Sequence, residues 1–240
     1  MIGEAATDAV RLRGVEYKWT ARDEFSFSID QFEVARGERL LLLGASGSGK
    51  STLLGLLTGL VSPHSGSLEV LGTRLDRLSG GARDQFRAEH FGIIFQMFNL
   101  LPYGAVIDNV MLPLSFAPER RARATAAGGT QSEAWRLLSA LGLPADIGQK
   151  KAAALSVGQQ QRVATARALI GSPEIVVADE PTSALDEDRQ QDFLELLFGQ
   201  IEATQATLIM VSHDRRLAQH FTRVIQLDDI LTTSKSGARA

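Results

Sequence analysis

Three short stretches of the chain are apolar almost without interruption: RLLLLG at 39–44, IVVADE at 175–180 and TLIMVSH at 207–213. Such runs predict strands buried on both faces, as in the core sheet of an α/β fold. Upstream, VRLRGVEYKW (10–19) and FSFSIDQFEV (25–34) alternate apolar with polar residues, which predicts antiparallel strands with one wet face. GSLEVLG (66–72) joins them. From about 97 to 170 the period lengthens. SEAWRLLSALGL places Ala134, Leu137, Leu138 and Leu141 on one helical face, so an α-helical subdomain is expected there, inserted into a single domain spanning 1–240. Within it, APERRARATAAGGTQ (117–131) reads as a mobile connection, a solvated loop or frayed helix, since no aromatic residues interleave with its arginines. The tail from about 232, TTSKSGARA, reads as disordered.

Composition narrows the partners. The 240 residues are 44 % hydrophobic and 22 % charged, with a formal net charge of −3. That is an ordinary globular balance, with no general electrostatic reason to bind nucleic acid or anionic lipid. No cysteine is present, which removes disulfides, thiolate metal sites and cysteine nucleophiles. No apolar run approaches the ~20 residues of a membrane helix, and the N-terminus lacks the profile of a secretory leader. The expectation is a cytoplasmic protein with no direct membrane insertion.

GASGSGKS (44–51) follows a predicted strand and opens the amphipathic stretch KSTLLGLLTGL. This is the G-x-x-x-x-G-K-[ST] phosphate loop in its proper strand–loop–helix setting. Gly44, Gly47 and Gly49 let the backbone bend so that the N–H groups of the loop, from Ala45 through Ser46 and Ser48, point inward at phosphate oxygens. The helix behind adds its positive end. Lys50 meets the β- and γ-phosphates, the Ser51 hydroxyl ligates Mg²⁺, and Thr52 adds a hydroxyl near the α-phosphate. A nucleoside triphosphatase of this kind also needs a carboxylate for the metal and a group to activate water. IVVADE supplies both where a buried strand should end: Asp179 toward Mg²⁺ and Glu180 as general base.

With these motifs in place the chain resembles the nucleotide-binding subunit of an ABC transporter over nearly its whole length. FQMFN with Gln96, LSVGQQQR with Ser156, SALD with Asp186 and MVSHD with His213 stand in the family's order and at its usual separations. The resemblance implies a P-loop fold with a mixed central sheet, an N-terminal antiparallel β subdomain and an inserted helical subdomain. It implies that Gln96 contacts Mg²⁺ or the attacking water, and that His213 reaches the γ-phosphate. Ser183 and Asp186 would lie at a dimer seam, and an aromatic of the first strand would stack on adenine. Spacing from Val15 favours Trp19 for that role, with Tyr17 as the alternative. Two copies would sandwich two ATP molecules, the signature residues Ser156, Gly158 and Gln159 of one facing the phosphates of the other.

Two stretches compete for the signature. LSGGARDQ (78–85) matches its opening letters, but it precedes Gln96 and no buried strand ending in Asp-Glu follows at the right distance; it reads as a turn capping a surface helix. LSVGQQQR (155–162) carries Val157 in place of the first glycine, yet it starts a helical stretch that leads directly into IVVADE, with Ser156 placed as an N-cap. Val157 is therefore expected at an ordinary φ with function retained. FQMFNLLPYGAVIDNVMLPL resembles the branch serving lipoprotein release, macrolide-type export and division-linked permeases. The implied partner is an integral membrane permease that holds the ATPase at the inner face of the membrane and whose cytoplasmic helix meets Phe98, Leu100, Leu101 and Tyr103. A regulatory ATPase that signals across the membrane is the alternative. A soluble ABC ATPase acting on nucleic acid or ribosomes fits less well, because neither a long coiled coil nor a basic balance is present.

Overall fold

A computed structural model describes residues 8–18, 25–183 and 185–235. Strands β1 (Asp8–Lys18), β2 (Phe25–Ala35) and β3 (Arg39–Leu43) lead into helix α1 (Lys50–Leu57). Next come β4 (Ser65–Val70), β5 (Thr73–Arg74), α2 (Gly80–His90) and β6 (Phe91–Ile94). Helices α3 (Val106–Met111), α4 (Pro118–Ala126), α5 (Thr130–Ala140) and α6 (Val157–Leu169) follow. Then β7 (Ile175–Asp179) and α7 (Glu187–Thr204) precede β8 (Thr207–Ser212), β9 (Arg223–Gln226), α8 (Leu227–Ile230) and β10 (Thr232–Lys235). One sheet runs β10-β2-β1-β4-β5 and a second β6-β7-β8-β3-β9. The chain divides into two compact units, one formed by the chain up to Asp84 and from Met210 onward, the other by Gln85–Ile209.

In the first unit β1 pairs antiparallel with both β2 and β4. Val10 and Leu12 are buried, as are Val15 and Tyr17. The inward face thus changes parity across Gly14, which sits at φ 56 beside a register shift against β4. The alternation in the sequence carries the same break. Thr232–Lys235, expected to be disordered, instead form β10 and extend the sheet along β2, with Thr232 opposite Ser28 and Thr233 opposite Phe27. Threonine suits a pleated edge, and main-chain pairing along β2 stabilises a segment whose composition alone argued for disorder. In the core sheet the pairs β3–β9 and β6–β7 are parallel.

The second unit holds the helices. The arginine-rich stretch at 117–131 is not a mobile connection; it contains α4, which begins at Pro118. Its Arg120 is 2 % exposed, and the guanidinium donates to the carbonyls of Phe91 (2.9 Å), Ala168 (2.9 Å) and Ile170 (2.9 Å from Nε). Arg120 therefore donates to carbonyls left over at the end of α6, where no further helical turn supplies N–H groups. Burial, and after it the neighbouring Arg123, push the Arg120 guanidinium down to about 10. The buried carboxylate of Glu89 accepts the N–H groups of Glu119 (3.2 Å) and Arg120 (3.1 Å) at the start of α4. Arginine served the interior here because its planar fork reaches several carbonyls at once.

Candidate functional site

In the first unit, β3 buries Leu40, Leu41, Leu42 and Leu43 and delivers the chain to the phosphate loop. Gly47 (φ 77) and Gly49 (φ 97) hold left-handed backbone that a side chain would strain. Gly44 is needed for a different reason. A Cβ there would lie 2.6 Å from Ser48 Oγ and 3.2 Å from the Leu227 Cβ. Ala45 and Ser46 are exposed on the loop, and Ser51 and Thr52 open the second and third positions of α1. Gly49 caps α1 with no side-chain hydrogen bond, and the positive end of that helix faces the loop. Lys50 Nζ folds back onto the loop and donates to the carbonyls of Gly44 (2.8 Å) and Ala45 (2.9 Å). Ser48 Oγ is buried with no hydrogen-bond partner among the described residues. A cradle of glycine-turned amides, a lysine and an orphaned hydroxyl fits a bound polyphosphate.

The end of β8 belongs to the same unit and meets the loop directly: the Gly44 N–H donates to the Ser212 carbonyl at 3.1 Å. His213 follows and is exposed, and Asp214 caps the turn Arg215–His220 by accepting the Arg216 N–H at 3.0 Å. Trp19 lies outside the described residues. The alternative, Tyr17, is 6 % exposed and packs against Phe27 (ring centroids 5.6 Å apart) and His64 (5.9 Å). Its ring is a core ring, with no open face for a base.

In the second unit, β7 buries Ile175, Val176, Val177 and Ala178 and ends at the half-buried Asp179. Glu180 then takes φ 45, a left-handed conformation that costs a non-glycine residue ~1–3 kcal/mol and concentrates at functional positions. Ser183 closes the turn by donating its N–H to the Glu180 carbonyl at 3.2 Å. Asp186 caps α7, accepting the Arg189 N–H at 3.0 Å. At the start of α6 the Ser156 hydroxyl accepts the Gln159 N–H (3.3 Å) while the Gln159 side chain accepts the Ser156 N–H (3.1 Å), a reciprocal cap. Ser156 is exposed, Val157 is 49 % exposed, and Gly158 follows on the first turn. Val157 is not among the positive-φ residues. The first glycine of the signature therefore gives way to valine without backbone strain.

Gln96 is exposed just beyond β6. The backbone of the next residues was not legible in the sequence. Phe98 (φ 59) and Asn99 (φ 50) are consecutive left-handed residues, and both carbonyls accept from the guanidinium of Arg167, on α6, at 2.7 Å for Asn99. Arg167 is 8 % exposed, and burial pushes its pKa down. Two strained residues cost ~1–3 kcal/mol each, and hydrogen bonds from a charged donor contribute about 1.5–3 kcal/mol each, so the two nearly offset one another. Phe98 is 8 % exposed, a core residue rather than part of an open groove. Leu100 and Leu101 are half-buried, whereas Met97 (80 %), Tyr103 (75 %) and Phe116 (65 %) are the exposed large apolar side chains of this unit besides Val157. Of these three, only Tyr103 had been expected at the permease contact.

LSGGARDQ lies at the start of α2, where Ser79 accepts the Ala82 N–H on its hydroxyl at 3.4 Å. It is a surface helix start, as expected. Among the described residues no helix is long and apolar enough to cross a membrane.

The profile of the family described as ABC transporter matches residues 28–183. The chain is 43 % identical over 196 residues to the macrolide export ATP-binding/permease protein MacB 1 of Aeromonas hydrophila subsp. hydrophila, covering 82 % of this chain and 29 % of that protein. It thus spans about a third of the length of the MacB-type relatives it matches. It is 40 % identical over 194 residues to the lipoprotein-releasing system ATP-binding protein LolD of Xanthomonas axonopodis pv. citri, covering 81 % of this chain and 77 % of that one. Among solved structures, the dimeric ABC transporter cassette MJ0796 superposes with a TM-score of 0.76 at 30 % identity, over 90 % of this chain and 93 % of that one. The same cassette in a post-hydrolysis state bound to ADP and Pi gives 0.75 at 32 %, over 96 % and 100 %. The phosphate loop, the Asp-Glu strand end, the capped signature helix and these likenesses agree: the chain belongs to the ABC transporter family, as one of its ATP-binding cassettes.

Proposed function

We propose that the chain hydrolyses ATP as a pair of copies closed head to tail over two nucleotides, and that closing and reopening drive an integral membrane permease. The observation that supports this best is the start of α6. Ser156 and Val157 are exposed at the N-terminus of a 13-residue helix whose cap leaves further first-turn amides for an external anion. In this reading the anion is a phosphate held by a second copy, and the likeness to dimeric cassettes, one of them bound to ADP and Pi, supports it.

In this reading the loop amides of 45–49 and Lys50 hold the phosphates, and Thr52 adds a hydroxyl. Ser51, Gln96 and Asp179 offer a hydroxyl, an amide oxygen and a carboxylate, a hard-oxygen set suited to Mg²⁺ shared with substrate phosphates. The ion, when bound, neutralises charge on the β- and γ-phosphates. Glu180 takes the proton of the attacking water, and His213 donates toward the γ-phosphate. Asp186 and Ser183 stand at the seam between copies.

The likeness to a macrolide export ATP-binding/permease protein and to the ATP-binding protein of a lipoprotein-releasing system supports a permease partner. Here that permease would hold it at the inner face of the membrane. Glu180→Gln removes the base and keeps the shape. The variant is expected to bind ATP, form a stable dimer by size-exclusion chromatography with light scattering, and hydrolyse at least a hundredfold more slowly, in line with the loss of a general base. A monomer in saturating Mg-ATP would refute the sandwich.

A further inference from the structure

We infer that Arg167 is a positioning residue that couples the signature helix to Gln96; this rests on the reading of Gln96 given above. Arg167 lies near the far end of α6, ten residues or more beyond Ser156, and its guanidinium holds the carbonyls of Phe98 and Asn99, the second and third residues after Gln96. Both acceptors belong to left-handed residues, an arrangement that does not persist without something holding it. A second set of ties acts near the beginning of the same helix. The Val106 N–H donates to the Lys150 carbonyl (3.0 Å), the Ala152 N–H to Gly104 (3.1 Å) and the Ala153 N–H to Pro102 (3.1 Å). The segment that follows Gln96 is therefore fastened to the segment leading into Ser156 and, through Arg167, to the end of α6. A shift of α6 on meeting a partner's phosphate is carried to Gln96 by hydrogen bonds with fixed directions, and a shift at Gln96 returns by the same route.

The residue type suits the task. A guanidinium reaches two carbonyls that diverge around a turn, whereas an ammonium on a lysine stem cannot hold both in the same directions. Arg167→Lys keeps a buried cation and most of the volume, so it tests the fork and not the fold.

The experiment uses the full chain with Mg-ATP. Arg167→Lys is expected to speed hydrogen exchange of the amides at 98–101 while leaving those at 44–52 as they were. It is also expected to lower kcat about tenfold with KM within about twofold, the signature of a lost transition-state interaction. The cycle with Gln96→Ala is decisive. If Arg167 acts through Gln96, Arg167→Lys in the Gln96→Ala background costs less than about twofold more. Full additivity, or unchanged exchange at 98–101, overturns the proposal. Should Gln96→Ala alone leave kcat unchanged, the reading of Gln96 falls and the coupling proposal falls with it. Should Gln96→Ala lower kcat while Arg167→Lys changes neither kcat nor exchange, only the coupling is wrong.

Discussion

Val157 shows how a residue can break a pattern and leave the physics alone. Signature glycines are replaceable wherever the backbone asks for no positive φ, and Val157 opens α6 without it. Its side chain is half exposed at the helix start. Val157→Gly is therefore expected to change the ATPase rate by less than about tenfold, while loosening the first turn by ~1 kcal/mol or less through added chain entropy. A larger gain in kcat, measured in steady state, would show that valine had been holding the phosphate contact back. Glu180 is the opposite case. Nothing in IVVADEP distinguishes it from any acid at a strand end except the proline behind it, which restricts the residue before it. Its left-handed φ of 45 appears only in the structure.

At the scale of elements, the buried runs were legible as strands because a strand covered on both faces leaves little room for polar residues. β3, β7 and β8 are buried along nearly their whole lengths. α4 was not legible. PERRARATA carries arginines where an amphipathic helix would show leucines, and its anchor, Arg120, contributes through carbonyls supplied by residues some 30 and 50 positions away. Nothing local reports such a partner. The consequence for stability is direct. Arg120→Met keeps the stem and strands the carbonyls of Phe91, Ala168 and Ile170. Losses of this sort run to ~1–3 kcal/mol per unsatisfied group, so a fall of about 3 kcal/mol or more is expected in urea unfolding. Arg121→Met is the control. Its Nε donates to the Leu114 carbonyl from an exposed position, and a loss below ~1.5 kcal/mol is expected. The segment after Gln96 was legible only in part. The sequence assigned Phe98 to the permease contact although its side chain is buried, since hydrophobicity alone does not say which apolar residues turn inward.

For the whole molecule, the exposed aromatic at Tyr103 is the feature that the proposed permease partner explains. Its loop is held from within. The fully buried Asn109 accepts the Leu101 N–H at 2.7 Å and donates to the carbonyls of Leu101 and Ala105, both at 3.1 Å. A rigid loop that presents a large apolar ring to water suits a recurring contact with another protein. Tyr103→Glu is expected to leave ATP affinity within about twofold and to reduce permease-stimulated hydrolysis at least tenfold, as loss of an aromatic anchor would. Equal stimulation of the variant by membranes carrying the permease would remove Tyr103 from the contact. Leu101, half-buried and bonded through its backbone, is the poorer probe.

The strand order of the core sheet has a consequence for how the molecule is made. β3, which carries the phosphate loop, lies between β8 and β9, and the loop's first amide is tied to Ser212. Both neighbours are translated more than 160 residues after Leu43. At ~5–20 residues per second the ribosome needs on the order of ten seconds to produce them. Throughout that interval the nascent loop has its glycines and its lysine but no flanking strands to hold its shape. The phosphate loop thus acquires its flanking strands only late in synthesis, after most of the chain has been made.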